Sequence, residues 1–145
     1  MDLNNSAALG ILNLLLNNQD FANVGDSTGL QGSGTAGVFY ISLHTADPGA
    51  TGNQSTSEVS YTGYARATFA RGSGQWTLSG TTFSPNAAIA FPACTGGTAT
   101  ATYAGIGLSS SGAGTLLWAG GITPPIAIST GVTPELGTGS TAIAS

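Results

Sequence analysis

Alternating hydrophobic and polar positions dominate the middle of the chain and predict short β-strands. In the segment 38–44, Phe39, Ile41 and Leu43 fall on one face, so we expect that face to point into a core. Glycine, serine and proline separate the other candidate strands. These candidates are Tyr64–Ala70, Gln75–Ser79, Thr81–Phe83, Ala87–Phe91, Thr98–Leu108, Thr115–Ile122 and Pro125–Ser129. The pattern predicts a mainly β fold, an antiparallel β-sandwich or small barrel.

The N-terminal segment has the periodicity of a helix. We predict one N-terminal α-helix over residues 5–19, with Ser6 able to cap it and an ending near Asn17 and Asn18. Its apolar stripe should pack on the β fold through Ala8, Ile11, Leu12 and Leu15.

The length of 145 residues predicts a single domain, 1–145. Within it we expect the β-sandwich to occupy residues 38–130. The segment 25–37 is rich in glycine and predicts a loop or an extended arm, which we expect to lie on a neighbouring subunit. Residues 131–145 predict a C-terminal extension that begins as an edge strand.

Charged residues are scarce along the whole chain. The sequence has two arginines, six acidic residues and no lysine, and residues 72–134 carry no charged side chain. An uncharged surface can pack against a neighbour without burying an unpaired ion. We therefore expect a homo-oligomer, a trimer held by uncharged faces drawn from residues 72–134. With only Arg66 and Arg71 as cations and a net charge of −4, nucleic acid and an anionic membrane are not expected partners.

The single cysteine and the lack of a signal-peptide pattern are what we expect of a protein from a reducing compartment. Cys94 is the only cysteine, so we expect it to be a small buried side chain with no disulfide. No basic segment precedes an apolar run at the N-terminus, and no apolar stretch reaches the roughly 20 residues that cross a bilayer. We therefore expect the protein to be made and used in a reducing cytosol.

Catalysis would have to be built on His44, the only histidine. Asp47 could orient its ring, and Ser42, Ser57 or Ser60 could serve as the nucleophile. Nothing in the surrounding sequence marks any of them. We expect instead that His44 ends a strand and hydrogen-bonds the turn that follows, and that the protein is not an enzyme.

Metal and cofactor sites are not expected either. The six carboxylates are scattered along the chain, and a metal site needs three or four suitable ligands. Gly112-Ala113-Gly114 lacks the lysine and the strand–loop–helix setting of a phosphate-binding loop, so we interpret it as a turn.

The segment Asp47-Pro48-Gly49 predicts a turn, because proline presets φ and glycine tolerates the permissive position. Arg66 lies downstream and could pair with Asp47 or Glu58 to pin the polar loop, and a contact between subunits is the alternative. Trp76 and Trp118 are interpreted as core or interface anchors. Saccharide binding by the isolated protein would instead indicate a carbohydrate-binding module.

Several short motifs follow one another along the chain. The most specific is the segment from Ser42 to Gly49, Ser-Leu-His-Thr-Ala-Asp-Pro-Gly. The further motifs are Glu58-Val59, Gly63–Arg66, Phe91–Ala93, Tyr103–Gly107, Gly114–Gly120 and Gly131–Pro134. In this order they resemble a family of small virion proteins of tailed bacteriophages, often labelled tail-fibre-like or minor structural proteins. The chain departs from the family pattern at 25–37 and at 139–145.

This resemblance implies a virion part without enzymatic activity. A chain of this length holds no fibre shaft, so we expect a head decoration (cement) protein that binds the major capsid protein. A tail, collar or fibre-associated subunit is the alternative.

Overall fold

The computed structural model describes residues 3–26, 29–140 and 142–143, the last two by their backbone only. It confirms a mainly β fold with antiparallel sheets and one N-terminal helix. The chain divides into two compact units. Unit 1 comprises residues 1–38, 70–87 and 138–145, and unit 2 comprises residues 39–69 and 88–137. The expectation of a single domain therefore stays a prediction.

Unit 1 contains α1 (Asn5–Leu16) and a three-stranded antiparallel sheet. The strands of this sheet are, in spatial order, β3 (Trp76–Ser79), β4 (Thr82–Pro85) and β9 (Ala142–Ile143). Asn4, and not Ser6, caps the helix, because its side-chain oxygen accepts a hydrogen bond from the Ser6 N–H at 2.9 Å. The helix ends at Leu16, three residues before the predicted end.

The predicted apolar stripe of α1 is half correct. Ala8 and Leu12 are buried, but Ile11 and Leu15 are exposed, and Leu16 is the third buried residue. The i, i+4, i+8 spacing of the buried set moves the contact face away from Ile11 and Leu15. In unit 1, α1 packs against β3, where Trp76 and Phe83 meet edge to face with ring centroids 5.9 Å apart.

Asparagine takes the place of an apolar residue at the end of this contact face. Asn17 is buried, and its side-chain amide donates to the Trp76 carbonyl and accepts from the Trp76 N–H, both at 3.2 Å. The side chain thereby hydrogen-bonds the edge of β3 as a neighbouring strand would.

The described part of the glycine-rich segment 25–37 makes hydrogen bonds within unit 1. The Gly32 N–H donates to the Asp20 carboxylate at 2.8 Å, and Asn18 exchanges two hydrogen bonds with the Ser33 backbone. The predicted use of this segment as an arm on a neighbour stays a prediction. Ser27 and Thr28 lie outside the described residues.

Unit 2 contains a four-stranded sheet and a two-stranded sheet. The larger sheet has the order β2 (Ala67–Ala70), β1 (Val38–His44), β6 (Thr98–Gly107) and β7 (Leu116–Ser129). β1 pairs with β6 and β6 with β7, both antiparallel. In the smaller sheet, β5 (Ile89–Ala90) pairs antiparallel with β8 (Glu135–Leu136).

The core of unit 2 lies against the predicted face of β1. Phe39, Ile41 and Leu43 are all buried, as their alternation predicts, and Cys94 is a buried free thiol. The opposite face of β1 is also covered, since Ser42 and His44 are buried.

Two predicted strands, Thr115–Ile122 and Pro125–Ser129, form one continuous strand, β7. The sequence predicts a break because proline cannot donate to a sheet ladder. β7 lies at the edge of its sheet, where a strand tolerates proline on its outer side.

Within the predicted C-terminal extension 131–145, residues 135–136 form β8 beside β5 and residues 142–143 form β9 beside β4, and the extension itself stays a prediction. Thr141, Ala144 and Ser145 lie outside the described residues. Within the described ranges, no helix is long and apolar enough to cross a membrane.

Candidate functional site

A polar loop leaves the end of β1 and returns beside it. The Thr45 N–H donates to the Ser57 carbonyl at 2.8 Å, and the Val59 N–H donates to the Leu43 carbonyl at 3.0 Å. These bonds close the base of the loop and form an antiparallel bridge between His44 and Glu58. The loop therefore brings together residues that are fourteen positions apart in the sequence.

The closed loop covers a set of hydrogen-bonded side chains on the sheet of unit 2, which we call the buried polar cluster. Its members come from β1, the loop and the segment before β2. They are Ser42, His44, Gln54, Glu58, Tyr64 and Arg66.

Arg66 pairs with Glu58 and not with Asp47. Its Nε and Nη2 atoms each donate to a different Glu58 carboxylate oxygen at 2.7 Å, in a two-point contact. Its remaining donors reach the Ser109 carbonyl at 2.9 Å and the Gly112 carbonyl at 2.7 Å. The Arg66 side chain is 2% exposed. Glu58 is the largest cause of the raised pKa of Arg66. The ion pair thus fastens Glu58, at the base of the loop 45–57, to the loop 108–115.

Asp47, Pro48 and Gly49 form the predicted turn, but without the help of Arg66. The Asp47 carboxylate accepts a hydrogen bond from the Gly49 N–H at 2.9 Å, and Gly49 has a φ of 69°, which favours glycine. Asp47 is exposed and Pro48 is buried. Of the two carboxylates that Arg66 could pair with, Asp47 is not its partner, because Glu58, Ser109 and Gly112 accept the Arg66 hydrogen bonds.

Tyr64 links the ion pair to β1. Its hydroxyl donates to Glu58 Oε1 at 2.8 Å and accepts from the Leu43 N–H at 3.1 Å. Burial, more than any hydrogen bond, raises the pKa of Tyr64, so the hydroxyl keeps its proton at neutral pH.

His44 ends β1 as expected, but its ring does not bond the turn that follows. Its Nδ1 lies 2.7 Å from the Thr56 carbonyl, and its Nε2 lies 2.9 Å from Ser42 Oγ. Because a carbonyl only accepts, Nδ1 carries the proton, and the neutral ring accepts at Nε2 from the Ser42 hydroxyl. Burial lowers the pKa of His44, and the Thr56 hydrogen bond and the Glu58 charge oppose this shift less strongly.

The structure brings one of the three nominated serines, Ser42, next to His44. Both side chains are fully buried, so a substrate cannot reach the pair without opening the loop. Ser57 and Ser60 are exposed. Among the described residues, every buried side-chain nitrogen and oxygen atom has a hydrogen-bond partner. A cluster satisfied in this way serves to hold the loop on the sheet.

Sequence reasoning nominated neither Tyr64 nor Gln54 as a member of the cluster. Gln54 is fully buried, donates to the Tyr40 carbonyl at 3.1 Å and accepts from the Ser109 N–H at 2.9 Å. A Cβ atom at Gly107 would lie 2.1 Å from the Gln54 side chain, and one at Gly105 would lie 2.8 Å from His44 Nε2. Gly105 and Gly107 fall on one face of β6, where the absence of a Cβ atom leaves room for the side chains of His44 and Gln54. Glycines at alternate positions of a strand are thus the sequence signal for side chains that pack on it.

The two tryptophans lie in different surroundings. Trp76 is 4% exposed in unit 1, and its ring N–H donates to the Ala70 carbonyl at 3.2 Å. Trp118 is half-buried on β7 and lines a groove of about 290 Å³ in unit 2. The other residues lining this groove are Asp47, Gly49, Ala50, Gly52, Leu116, Leu117 and Ala119.

The described residues contain no group of three or more histidine, cysteine or acidic side chains placed to hold a metal ion. The buried polar cluster has one carboxylate, and that carboxylate is paired with Arg66. Its donors and acceptors are therefore directed at one another and at nearby backbone groups.

Comparison with protein families gives a match over nearly the whole chain. A family model described as "Podophage GP4 fiber I protein gp80" matches residues 3–144. No curated protein matches the chain.

Proposed function

The chain belongs to the family described as podophage GP4 fiber I protein gp80, a family of phage virion structural proteins, and from this premise we propose that it is a non-enzymatic subunit on the outside of the particle. The family match over residues 3–144 is the observation that carries the proposal.

The use of the polar residues supports a structural function. The only histidine and the Glu58–Arg66 pair lie in the buried polar cluster, where their hydrogen bonds fasten loops to a sheet. The second arginine, Arg71, donates to the Leu14 and Leu15 carbonyls at the end of α1 at 2.7 and 2.6 Å. Both cations are thus bound within their own units, which leaves little to attract phosphates or anionic lipids.

We assign the subunit first to the head, as a decoration (cement) protein that binds the major capsid protein. Its uncharged surface suits this role, since contacts with a shell can then form without burying unpaired ions. Contacts repeated over many copies add up even when each one is weak. Assembly would take place in the host cytoplasm.

A fibre-associated subunit is the second candidate. The description of the matching family names a fibre, and this is the observation that favours it. For either placement we propose a homo-oligomer, with three copies as the hypothesis to test.

Locating and counting the protein in purified particles tests both placements. Antibody-gold labelling and quantitative mass spectrometry should find it spread over the head in many copies. Labelling only at a fibre or at the tail, in few copies, would replace the decoration role with the fibre role. Absence from particles that are complete and infectious would refute a virion function altogether.

A further inference from the structure

The outer edge of β3 is occupied by a side chain and not by a strand. Among the described residues, β3 has a neighbouring strand, β4, on one side only. The Asn86 N–H donates to the Gln75 carbonyl at 2.9 Å, so the backbone groups of Gln75 face β4. Alternate residues of an antiparallel pair bond the neighbouring strand, and the N–H and C=O groups of Trp76 and Leu78 therefore point away from β4.

Asn17 occupies both of the outward groups of Trp76. Its side-chain amide accepts from the Trp76 N–H and donates to the Trp76 carbonyl, each at 3.2 Å, as a residue of a neighbouring strand would. β3 has only four residues, Trp76–Ser79, so two of them, Trp76 and Leu78, turn their backbone groups outward. With Trp76 occupied, a single outward residue is left, which is too short for a stable strand pairing.

The segment that leads into β3 fixes the end of α1 at this edge. Arg71 donates to the Leu14 and Leu15 carbonyls at 2.7 and 2.6 Å, and the Gly72 N–H donates to the Leu16 carbonyl at 3.1 Å. Carbonyls in the last turn of a helix have no partner inside the helix, so these bonds satisfy them. The end of the helix is thus held where the residue that follows it reaches β3.

Charge does not protect this edge. Natural proteins commonly place charged side chains, lysine above all, on edge strands, and neither β3 nor β4 has one. Both strands contain residues that favour β structure, Trp76 and Thr77 in β3 and Thr82 and Phe83 in β4. An uncharged strand pair of this composition is prone to add further strands when its edge is accessible.

We propose that Asn17 protects the outer edge of β3 against strand addition by another molecule. The inference is independent of where the subunit lies in the particle. An asparagine that only stabilised the helix contact would change the stability of the fold. An asparagine that protects the edge also changes the rate at which molecules of equal stability associate through β3.

Asn17→Ala tests the proposal, with Leu12→Ala as the matched control. Both substitutions weaken the packing of α1, since Leu12 is 2% exposed, but only Asn17→Ala removes the two hydrogen bonds to Trp76. Growth of cross-β aggregates is measured by thioflavin T fluorescence, at urea concentrations that give both variants the same folded fraction. Asn17→Ala should aggregate at least about tenfold faster than Leu12→Ala. Equal rates would overturn the proposal.

A lysine substitution on β3 gives a test by rescue. Ser79 is exposed on β3, and Ser79→Lys in the Asn17→Ala protein adds the charge that protects natural edges. Ser110→Lys in the same background is the control, because Ser110 is an exposed residue of unit 2. Either substitution brings the net charge of −4 closer to zero, which by itself favours association. Slower aggregation for Ser79→Lys but not for Ser110→Lys is the expected result, and equal effects would contradict the proposal.

The wild-type protein supplies a further readout, which decides the question even if Asn17→Ala does not fold. Over a urea series, the aggregation rate should rise in proportion to hydrogen exchange of the Trp76 amide, which reports the opening of the contact with Asn17. The Asn86 amide bonds the Gln75 carbonyl and reports the opening of the β3–β4 pair itself. Aggregation that followed exchange at Asn86 and not at Trp76 would show that unfolding of the sheet starts association, and the protective role of Asn17 would be refuted.

Discussion

At the residue scale, the side chains that could carry chemistry, such as His44, Glu58 and Arg66, instead hydrogen-bond loops of unit 2 to its sheet and to each other. Arg66 and Glu58 illustrate this, since their two-point contact is buried and its other bonds go to carbonyls of a second loop. The sequence predicts an arginine–carboxylate pair here, but it cannot choose between Asp47 and Glu58. The choice depends on the backbone bonds that close the loop beside β1, and those bonds involve no side chain.

Removing the charge of Glu58 should destabilise the fold strongly. Glu58→Gln leaves the Arg66 guanidinium buried without a counter-ion, and breaking a buried pair in this way costs about 3–5 kcal/mol. Asp47→Asn is the matched control, because it removes the same charge from an exposed residue of the same loop and still accepts from the Gly49 N–H. Urea denaturation should show the large loss for Glu58→Gln and a change within about 0.5 kcal/mol for Asp47→Asn. Equal losses would contradict the assigned role of the pair.

His44 should make stability depend on pH. Its pKa in the folded protein lies below the usual 6.5, so on acidification the unfolded chain binds a proton before the folded one does. The stability contributed by the neutral ring is therefore complete above about pH 6.5 and is lost as the pH falls below it, by at most about 1.4 kcal/mol per pH unit. Glu58 and Arg66 face the ring and act in opposite directions.

Unfolding free energies measured from about pH 7.5 to about pH 5.5 test this expectation. His44→Gln keeps a planar hydrogen-bonding group without a titrating proton, so its stability should change less with pH than that of wild type. The comparison uses the slope of the unfolding free energy against pH. A general loss of packing in the variant would lower its stability at every pH and would not create such a slope. Identical slopes for the two proteins would show that His44 does not carry the pH dependence.

At the element scale, hydrophobic periodicity correctly predicts the buried face of an element when that face consists of apolar residues. The alternation in β1 gives the correct core face, with Phe39, Ile41 and Leu43. The helix α1 departs from the prediction because a polar residue takes part in its contact. Asn17 pairs with the Trp76 backbone, and the contact face turns so that Ile11 and Leu15 are exposed. Gln54 was also missed because it is a buried polar residue. Its partners are backbone groups of Tyr40 and Ser109, which hydrophobic periodicity does not reveal.

Two identical substitutions on α1 should separate its faces. Leu12 is 2% exposed and Leu15 is 36% exposed. Leu12→Asp places a carboxylate among apolar side chains and should cost several kcal/mol, a large part of a typical stability of about 5–15 kcal/mol. Leu15→Asp keeps its carboxylate at the surface and should change the melting temperature little. A larger loss for Leu15→Asp in the dilute, monomeric protein would contradict the described packing of the helix.

At the scale of the whole molecule, the scarcity of charge has one consequence for folding and another for assembly. Both arginines are bound within their own units, and the exposed part of residues 72–134 is built from uncharged side chains. Composition alone indicates this surface. It does not indicate which part of it is an edge, because β7 becomes an edge only through the order of strands in the sheet.

The assembly should therefore be insensitive to salt. Ion pairs between exposed charges weaken as salt screens them, whereas apolar contacts and backbone hydrogen bonds have no net charge to screen. The dissociation constant measured by sedimentation should stay the same or fall between about 0.05 M and about 1 M NaCl, because added salt tends to strengthen apolar contacts. Dissociation into monomers at the higher salt would mean that the six acidic residues or the two arginines make the contacts between copies, and the uncharged interface would then have to be abandoned.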